Sequence, residues 1–304
     1  RSAPACLGGY DKLCGTDYVH EMTVTIDERH WNAVRAALKS TGDRFADLVA
    51  SAPDPSVKVT ADWSLAEMAA HVTGIAWIYT SMAESDGLPS PFAGLDAEVN
   101  ATTVDTVADL NEVMLRRFSA RASSELARQL VDHVDQLLAL SHNKDPATPV
   151  NWLGGAVVPL AGLLAHLLNE LLIHGRDIAL AVRSPWRIPP GDAALFLELF
   201  LVGVTRSGYG KLLDSDQPST NRRIAVQFRS KHLTPFTMVL DQGRVSIAEP
   251  GRDDVKLRFD PATLNLMLFG RVSKLRAALT GKVIVTGHRP WLLRPFLKKV
   301  HLPN

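Results

Sequence analysis

The stretch Leu163-Leu164-Ala165-His166-Leu167-Leu168-Asn169-Glu170-Leu171-Leu172-Ile173-His174-Gly175-Arg176-Asp177 constrains the fold more than any other part of the chain. Its periodicity is helical, and a helix apolar around most of its surface has to be buried. Glu170 and His174 are four residues apart, so their side chains lie one above the other on one face. An unpaired carboxylate buried among leucines is costly. A Glu and a His on one turn, by contrast, can chelate a divalent metal ion with little chain entropy left to lose. The helix therefore reads as one wall of a metal site, and the question becomes the source of a third ligand.

Two sets of residues answer it. In the first, His71 from an earlier helix joins Glu170 and His174; two histidines and one glutamate leave coordination positions open for water or substrate. In the second, all three ligands are local: His166, Glu170 and His174. Steps of four residues advance about 40° around a helix, so the first and last of these diverge by about 80° and about 12 Å along the axis. One ion hardly spans that separation. Geometry favours the first set and leaves His166 outside it. The same residues also admit ordinary readings. Glu170 and His174 can form a helix pair without a metal, His71 can be a core histidine, Ser64 and Glu67 a helix cap, and Trp63 and Trp77 core residues.

At 304 residues the chain suits two domains. A hydrophobic fraction of 46% and a charged fraction of 21% are those of a soluble globular protein. Lys+Arg 33 against Asp+Glu 32 argues against nucleic acid as a general partner. No apolar run reaches the roughly 18 to 20 residues of a membrane span, so no membrane partner is expected. Both cysteines, Cys6 and Cys14, precede Met22, which fits a reducing, cytoplasmic setting. Residues 1–21 lack the basic start and apolar core of a signal peptide. They read as a remnant or an unstructured extension, with Met22 as the natural start.

Helical patterns run through residues 22–185. The first covers about Asp27 to Ala50 and ends at Pro53-Asp54-Pro55. The second starts at Ser64, where Ser64 and Glu67 form a capping box and Trp63 is a candidate staple; Gly87, Pro89 and Pro91 stop it. A third spans about Val107 to Leu140, and a fourth runs from near Pro159, a favoured first-turn residue, to about Val182. Four long amphipathic helices predict a four-helix bundle. The pattern changes after Ser184-Pro185-Trp186. In 191–304 an apolar helix from Asp192 to about Val204 precedes the Gly/Ser/Asp-rich stretch 207–221. Strands follow at Ile224–Phe228, Phe236–Leu240, Arg244–Ala248, Val255–Phe259 and Val283–Val285, with a hairpin signal at Asp241-Gln242-Gly243. Helices are expected at about Pro261–Leu268, Ser273–Leu279 and from Pro290. The class is α+β in two domains.

Thr60-Ala61-Asp62-Trp63-Ser64-Leu65-Ala66-Glu67-Met68-Ala69-Ala70-His71 resembles the tryptophan-capped helix of the mycothiol-dependent maleylpyruvate isomerase family, one of the DinB-like metal-binding bundles. Glu170-Leu171-Leu172-Ile173-His174-Gly175-Arg176-Asp177 is similar to that family's Glu-x-x-x-His-x-x-Asp segment. Phe236 to Ala248, Asp254-Val255-Lys256-Leu257, Leu268-Phe269-Gly270-Arg271 and Gly281 to Gly287 resemble the sterol-carrier-like domain that follows the bundle in actinobacterial members. The similarity covers about residues 25–300. It implies an N-terminal DinB-like four-helix bundle, a C-terminal sterol-carrier-like α/β domain, and His71, Glu170 and His174 as ligands of a divalent metal, zinc by default.

The resemblance also implies a function. A metal-bound thiol, mycothiol, would add as its thiolate to a small electrophilic substrate, in an isomerase or an S-transferase. Asp177 would orient a ligand, or alternatively satisfy the helix end. No catalytic residue is singled out. The family uses arginines for substrate carboxylates, one of them from the C-terminal domain. Here Arg206, Arg222, Arg223, Arg229, Arg244, Arg271 and Arg289 are all open candidates. Two other classes stand beside this one: an apolar-ligand-binding module with a structural metal, its pocket lined by Leu264, Leu266, Met267, Leu268 and Phe269, and a thiol-independent metal-dependent hydrolase. The sequence does not choose the metal, the electrophile or the oligomeric state.

Overall fold

The chain is described here by a computed structural model covering residues 26–84, 93–214, 222–249 and 251–302. Residues 1–25, with both cysteines and Met22, lie outside the described residues, as do Gly87, Pro89 and Pro91. Helix α1 (Glu28–Ala50) begins where the Asp27 carboxylate accepts the His30 N–H, and it buries Trp31, Val34, Leu38, Phe45 and Val49 along one stripe. Helix α2 (Leu65–Ala83) starts with the expected capping box. Glu67 N–H donates to Ser64 Oγ, and Ser64 N–H donates to the Glu67 carboxylate at 2.7 Å.

The third expected helix is two. A short α3 (Asp96–Ala101) precedes α4 (Val107–Arg117), and α5 (Ser123–Leu140) follows after a five-residue break. No glycine or proline marks that break. Arg121 makes it, by donating to the carbonyls of Leu115, Phe118 and Ala120 and so satisfying the orphan acceptors at the end of α4. A small antiparallel pair, β1 (Pro149–Asn151) and β2 (Val157–Pro159), was not expected either. It leads into α6 (Leu160–Ala181), which is buried over most of its length. Helices α1 and α2 each pack on both α5 and α6, which is the four-helix bundle.

Past the bundle, α7 (Pro190–Leu195), a π-helical turn (Phe196–Leu201) and α8 (Val202–Ser207) form one uninterrupted rod longer than the helix expected from Asp192. The wide turn lies against α6 at Gly162, where a Cβ would stand 2.6 Å from the Leu199 carbonyl oxygen. Only glycine permits that approach. Glu198 on the same turn accepts the Thr234 N–H at 2.7 Å and lies 3.3 Å from His30 Nε2, tying α1, the rod and the sheet together.

The C-terminal sheet has five strands in the order β5-β4-β3-β6-β7: β3 (Ile224–Ser230), β4 (Leu233–Asp241), β5 (Arg244–Ala248), β6 (Val255–Phe259) and β7 (Val283–Thr286). All neighbours are antiparallel except β3 and β6. Gln242 and Gly243 both take positive φ, 45° and 78°, which is the hairpin geometry their sequence announces. Helices α9 (Pro261–Leu268), α10 (Lys274–Leu279) and α11 (Leu293–Lys299) complete the domain. The α+β class in two parts is as the sequence reads.

Candidate metal centre

Two helices bring the candidate ligands together. His71 stands in the second turn of α2, set by the Ser64 cap, and α6 supplies Glu170 and His174. One ligand atom from each lies within 4.8 Å of the others. His174 Nε2 is 3.1 Å and His71 Nε2 is 3.5 Å from the same oxygen, Glu170 Oε2. Burial alone would raise the Glu170 carboxyl. Hydrogen bonds from His174 and His71, with the charges of His166 and His174, outweigh it and hold the group well below the usual carboxylate range. Burial also pushes the His71 and His166 imidazoles down. Among the described residues, the ion-pair partners of Glu170 are all histidines. A buried carboxylate facing imidazoles, with no fixed cation beside it, is a donor set that suits a divalent ion.

His166 is close but turned to another task. Its Nε2 is 3.7 Å from the second Glu170 oxygen. Trp152 Nε1, which can only donate, reaches Tyr79 Oη at 3.0 Å, and Tyr79 Oη lies 2.9 Å from His166 Nδ1. Nδ1 is thus engaged with Tyr79, while Nε2 stands beyond hydrogen-bond distance of the Glu170 carboxylate. Tyr79 and Trp152 escape a sequence reading because each is one aromatic among many.

Asp177 sits one turn beyond His174, with Oδ2 3.8 Å from His174 Nδ1. Among the described residues Nδ1 has no hydrogen-bond partner. The same Asp177 oxygen takes the Arg271 guanidinium through Nε and Nη2, both at 3.0 Å, while Nη1 donates to the Phe269 carbonyl at 2.6 Å. Arg271 thus brings the C-terminal domain to the edge of the centre. Of the seven candidate arginines it alone lines the cavity described below. Arg289, for comparison, pairs with Asp254 at 3.3 Å. Asp177 satisfies a neighbouring domain rather than its own helix end.

Trp63 is half-buried against the core and also faces the site. Its ring lies 4.8 Å from that of His71, and its Nε1 donates to Glu112 Oε1 at 3.1 Å. It forms part of the wall of a cavity of about 760 Å³ that opens from the three ligands between α2, α4, α6, the π-helical turn and the C-terminal domain. Trp77 lies outside this cavity, and of the five residues expected to line an apolar pocket only Phe269 does so.

A four-helix bundle with an inward-facing His, Glu and His, followed by a five-stranded sheet with helices, defines a class of two-domain proteins built around one buried donor cluster. Residues 26–178 match the DinB superfamily, and the chain belongs to it. Residues 214–290 match the SCP-2 sterol transfer family. This is the domain order the sequence resemblance implies. Among solved structures the chain is similar to a mycothiol-dependent maleylpyruvate isomerase, at 18% identity over 85% of this chain and 92% of that one, with a TM-score of 0.45. It is similar also to a histidine-to-alanine mutant described by the same name, at 15% identity over 83% and 91%, with a TM-score of 0.46. No curated protein matches the chain.

Proposed function

We propose that this chain is a metal- and thiol-dependent enzyme, an isomerase or S-transferase, using mycothiol as thiol and a small electrophile as substrate. The observation that carries the reading is the convergence of His71, Glu170 and His174 at one wall of a large cavity. The motif resemblance supplies the thiol. A divalent ion held by these three residues, zinc by default, would supply the Lewis acidity that lowers a thiol's pKa toward neutrality.

The protein's own groups then do the positioning. Asp177 stands 3.8 Å from His174 Nδ1 and would orient that imidazole through its charge. His166, held by Tyr79, places its imidazole beside the Glu170 carboxylate, with Nε2 3.7 Å from it. Trp63 covers His71 and narrows access for water. In the reaction a carbon–sulfur bond forms at the electrophilic carbon as another bond breaks there: the C=C π bond of an activated alkene, whose electron pair passes to the adjacent carbonyl as an enolate, or the bond to a leaving group such as chloride. From the enolate, rotation about the new single bond and expulsion of the thiolate re-form the double bond in the isomerised product; alternatively the enolate carbon takes up the proton the thiol lost, or the leaving group departs, and the S-conjugate is the product.

The test is turnover of maleylpyruvate and of monochlorobimane by the metal-loaded protein, with and without mycothiol. Consumption of at least one of the two electrophiles that requires both metal and thiol is the expected result. Turnover without thiol would move the assignment to metal-assisted hydrolysis. No turnover and no thiol binding would leave the second reading, an apolar-ligand-binding module with a structural metal, which the largely apolar cavity favours.

A further inference from the structure

The cavity is much larger than a small dicarboxylate needs, and its volume of about 760 Å³ falls in the range that encloses drug-sized ligands. Its depth is apolar: Ile78, Met114, Phe196, Phe200, Leu212 and Met238 line it, all of them buried. Its fixed charges are mostly acidic. Asp62, Asp109 and Glu112 are exposed lining residues, and Glu170 and Asp177 lie further in. Against these five carboxylates, Arg271 is the one Lys or Arg among the described lining residues, and Asp177 and the Phe269 carbonyl already hold it. Even a bound divalent ion leaves carboxylates in excess. Away from the metal position, an anionic ligand would lose its hydration there and find no free Lys or Arg among the described lining residues to replace it.

We infer that the cavity admits an uncharged, predominantly apolar molecule as the electrophilic partner, and that it discriminates against anionic substrates, dicarboxylates included. The word electrophilic rests on the thiol-enzyme reading; the charge and polarity of the occupant rest on the cavity alone. Apolar side chains supply area without direction, so selection is by charge and bulk, and the reactive carbon is placed by the polar end near His71, Glu170 and His174.

Two probes of the same ring system separate these terms without turnover: uncharged N-phenyl-1-naphthylamine and its sulfonated analogue 1-anilinonaphthalene-8-sulfonate. Titrated by fluorescence into the metal-loaded protein, the uncharged probe is expected to bind with one site and about ten-fold tighter or better, because only the sulfonate must be desolvated among carboxylates. Ile75, a half-buried lining residue on α2, gives the location test. Ile75→Trp fills the cavity and should remove that binding while an unchanged circular dichroism spectrum shows the fold intact. If Ile75→Trp does not fold, displacement of the uncharged probe by increasing concentrations of an uncharged apolar electrophile such as cinnamaldehyde, but not by maleylpyruvate, makes the same point. Equal or tighter binding of the sulfonate, or no binding of the uncharged probe, would overturn the inference. Probe binding as expected with no thiol-dependent turnover sinks the enzyme reading and leaves the cavity inference standing. Efficient thiol-dependent turnover of maleylpyruvate without probe binding does the reverse.

Discussion

Glu170 is the residue on which the centre turns. Its carboxylate faces three imidazoles from two helices, and two of those histidines, His166 and His174, are paired with it by i to i+4 spacing alone. The i to i+4 relation makes Glu170 and His174 legible, because helix geometry fixes it locally. His71 was legible through the family resemblance carried by Thr60 to His71. Arg271 was not, because it reaches Asp177 from 94 residues further along, and no periodicity relates positions in different domains. At this scale Asp177→Asn is the informative change. It keeps the shape, weakens the anchor for Arg271 and removes the anionic acceptor facing His174 Nδ1. Metal affinity, measured by competition with a chromogenic chelator, is expected to fall about 10- to 100-fold, the usual consequence of losing a group that orients a ligand. An unchanged affinity would assign Asp177 to domain docking alone.

At the scale of elements, α6 owes its position to neighbours that leave it no room. Trp186 lies across Gly175, where a Cβ would stand 2.2 Å from the ring, and its Nε1 donates to the Leu172 carbonyl at 3.0 Å. Arg44 covers the other side of that indole, 4.4 Å from the ring centre. Gly175→Ala is therefore expected to cost about 1–3 kcal/mol through overpacking, read as a shift of the urea midpoint; a change within a few tenths would show that Trp186 gives way freely. The capped start of α2 was legible in sequence because capping is local. The break between α4 and α5 was not, because the carbonyls there are satisfied by the Arg121 side chain rather than by a breaking residue. Helix α5 carries a pH signature of its own. Burial pushes the His133 imidazole below its ordinary range, against a smaller opposing effect of Asp132. The folded state then binds fewer protons than the unfolded one below about pH 6.5, so this contribution is present above that pH and lost as the pH falls. Urea denaturation between pH 7.5 and 5 should show a shallower loss of stability in His133→Phe than in the parent protein. Parallel slopes would remove His133 from the account.

For the whole molecule, the site belongs to neither domain alone. The bundle supplies the donors, the rod from Pro190 to Ser207 supplies much of the apolar wall, and the C-terminal domain closes the edge through Phe269 and Arg271. Buried Asn265 strengthens that junction by donating to Asn169 Oδ1 and to the Ala193 carbonyl, both at 3.1 Å. Two-domain α+β architecture could be read from the change of period after Ser184. The cavity between the parts could not, since its walls come from segments each of which looks like ordinary core. The central claim is that His71, Glu170 and His174 hold a metal ion, and metal content by mass spectrometry tests it most directly. The protein purified without added metal should carry close to one equivalent of a divalent ion, and Glu170→Ala, its fold checked by circular dichroism, should carry almost none. Equal metal in both proteins, or none in either after reconstitution, would contradict the account.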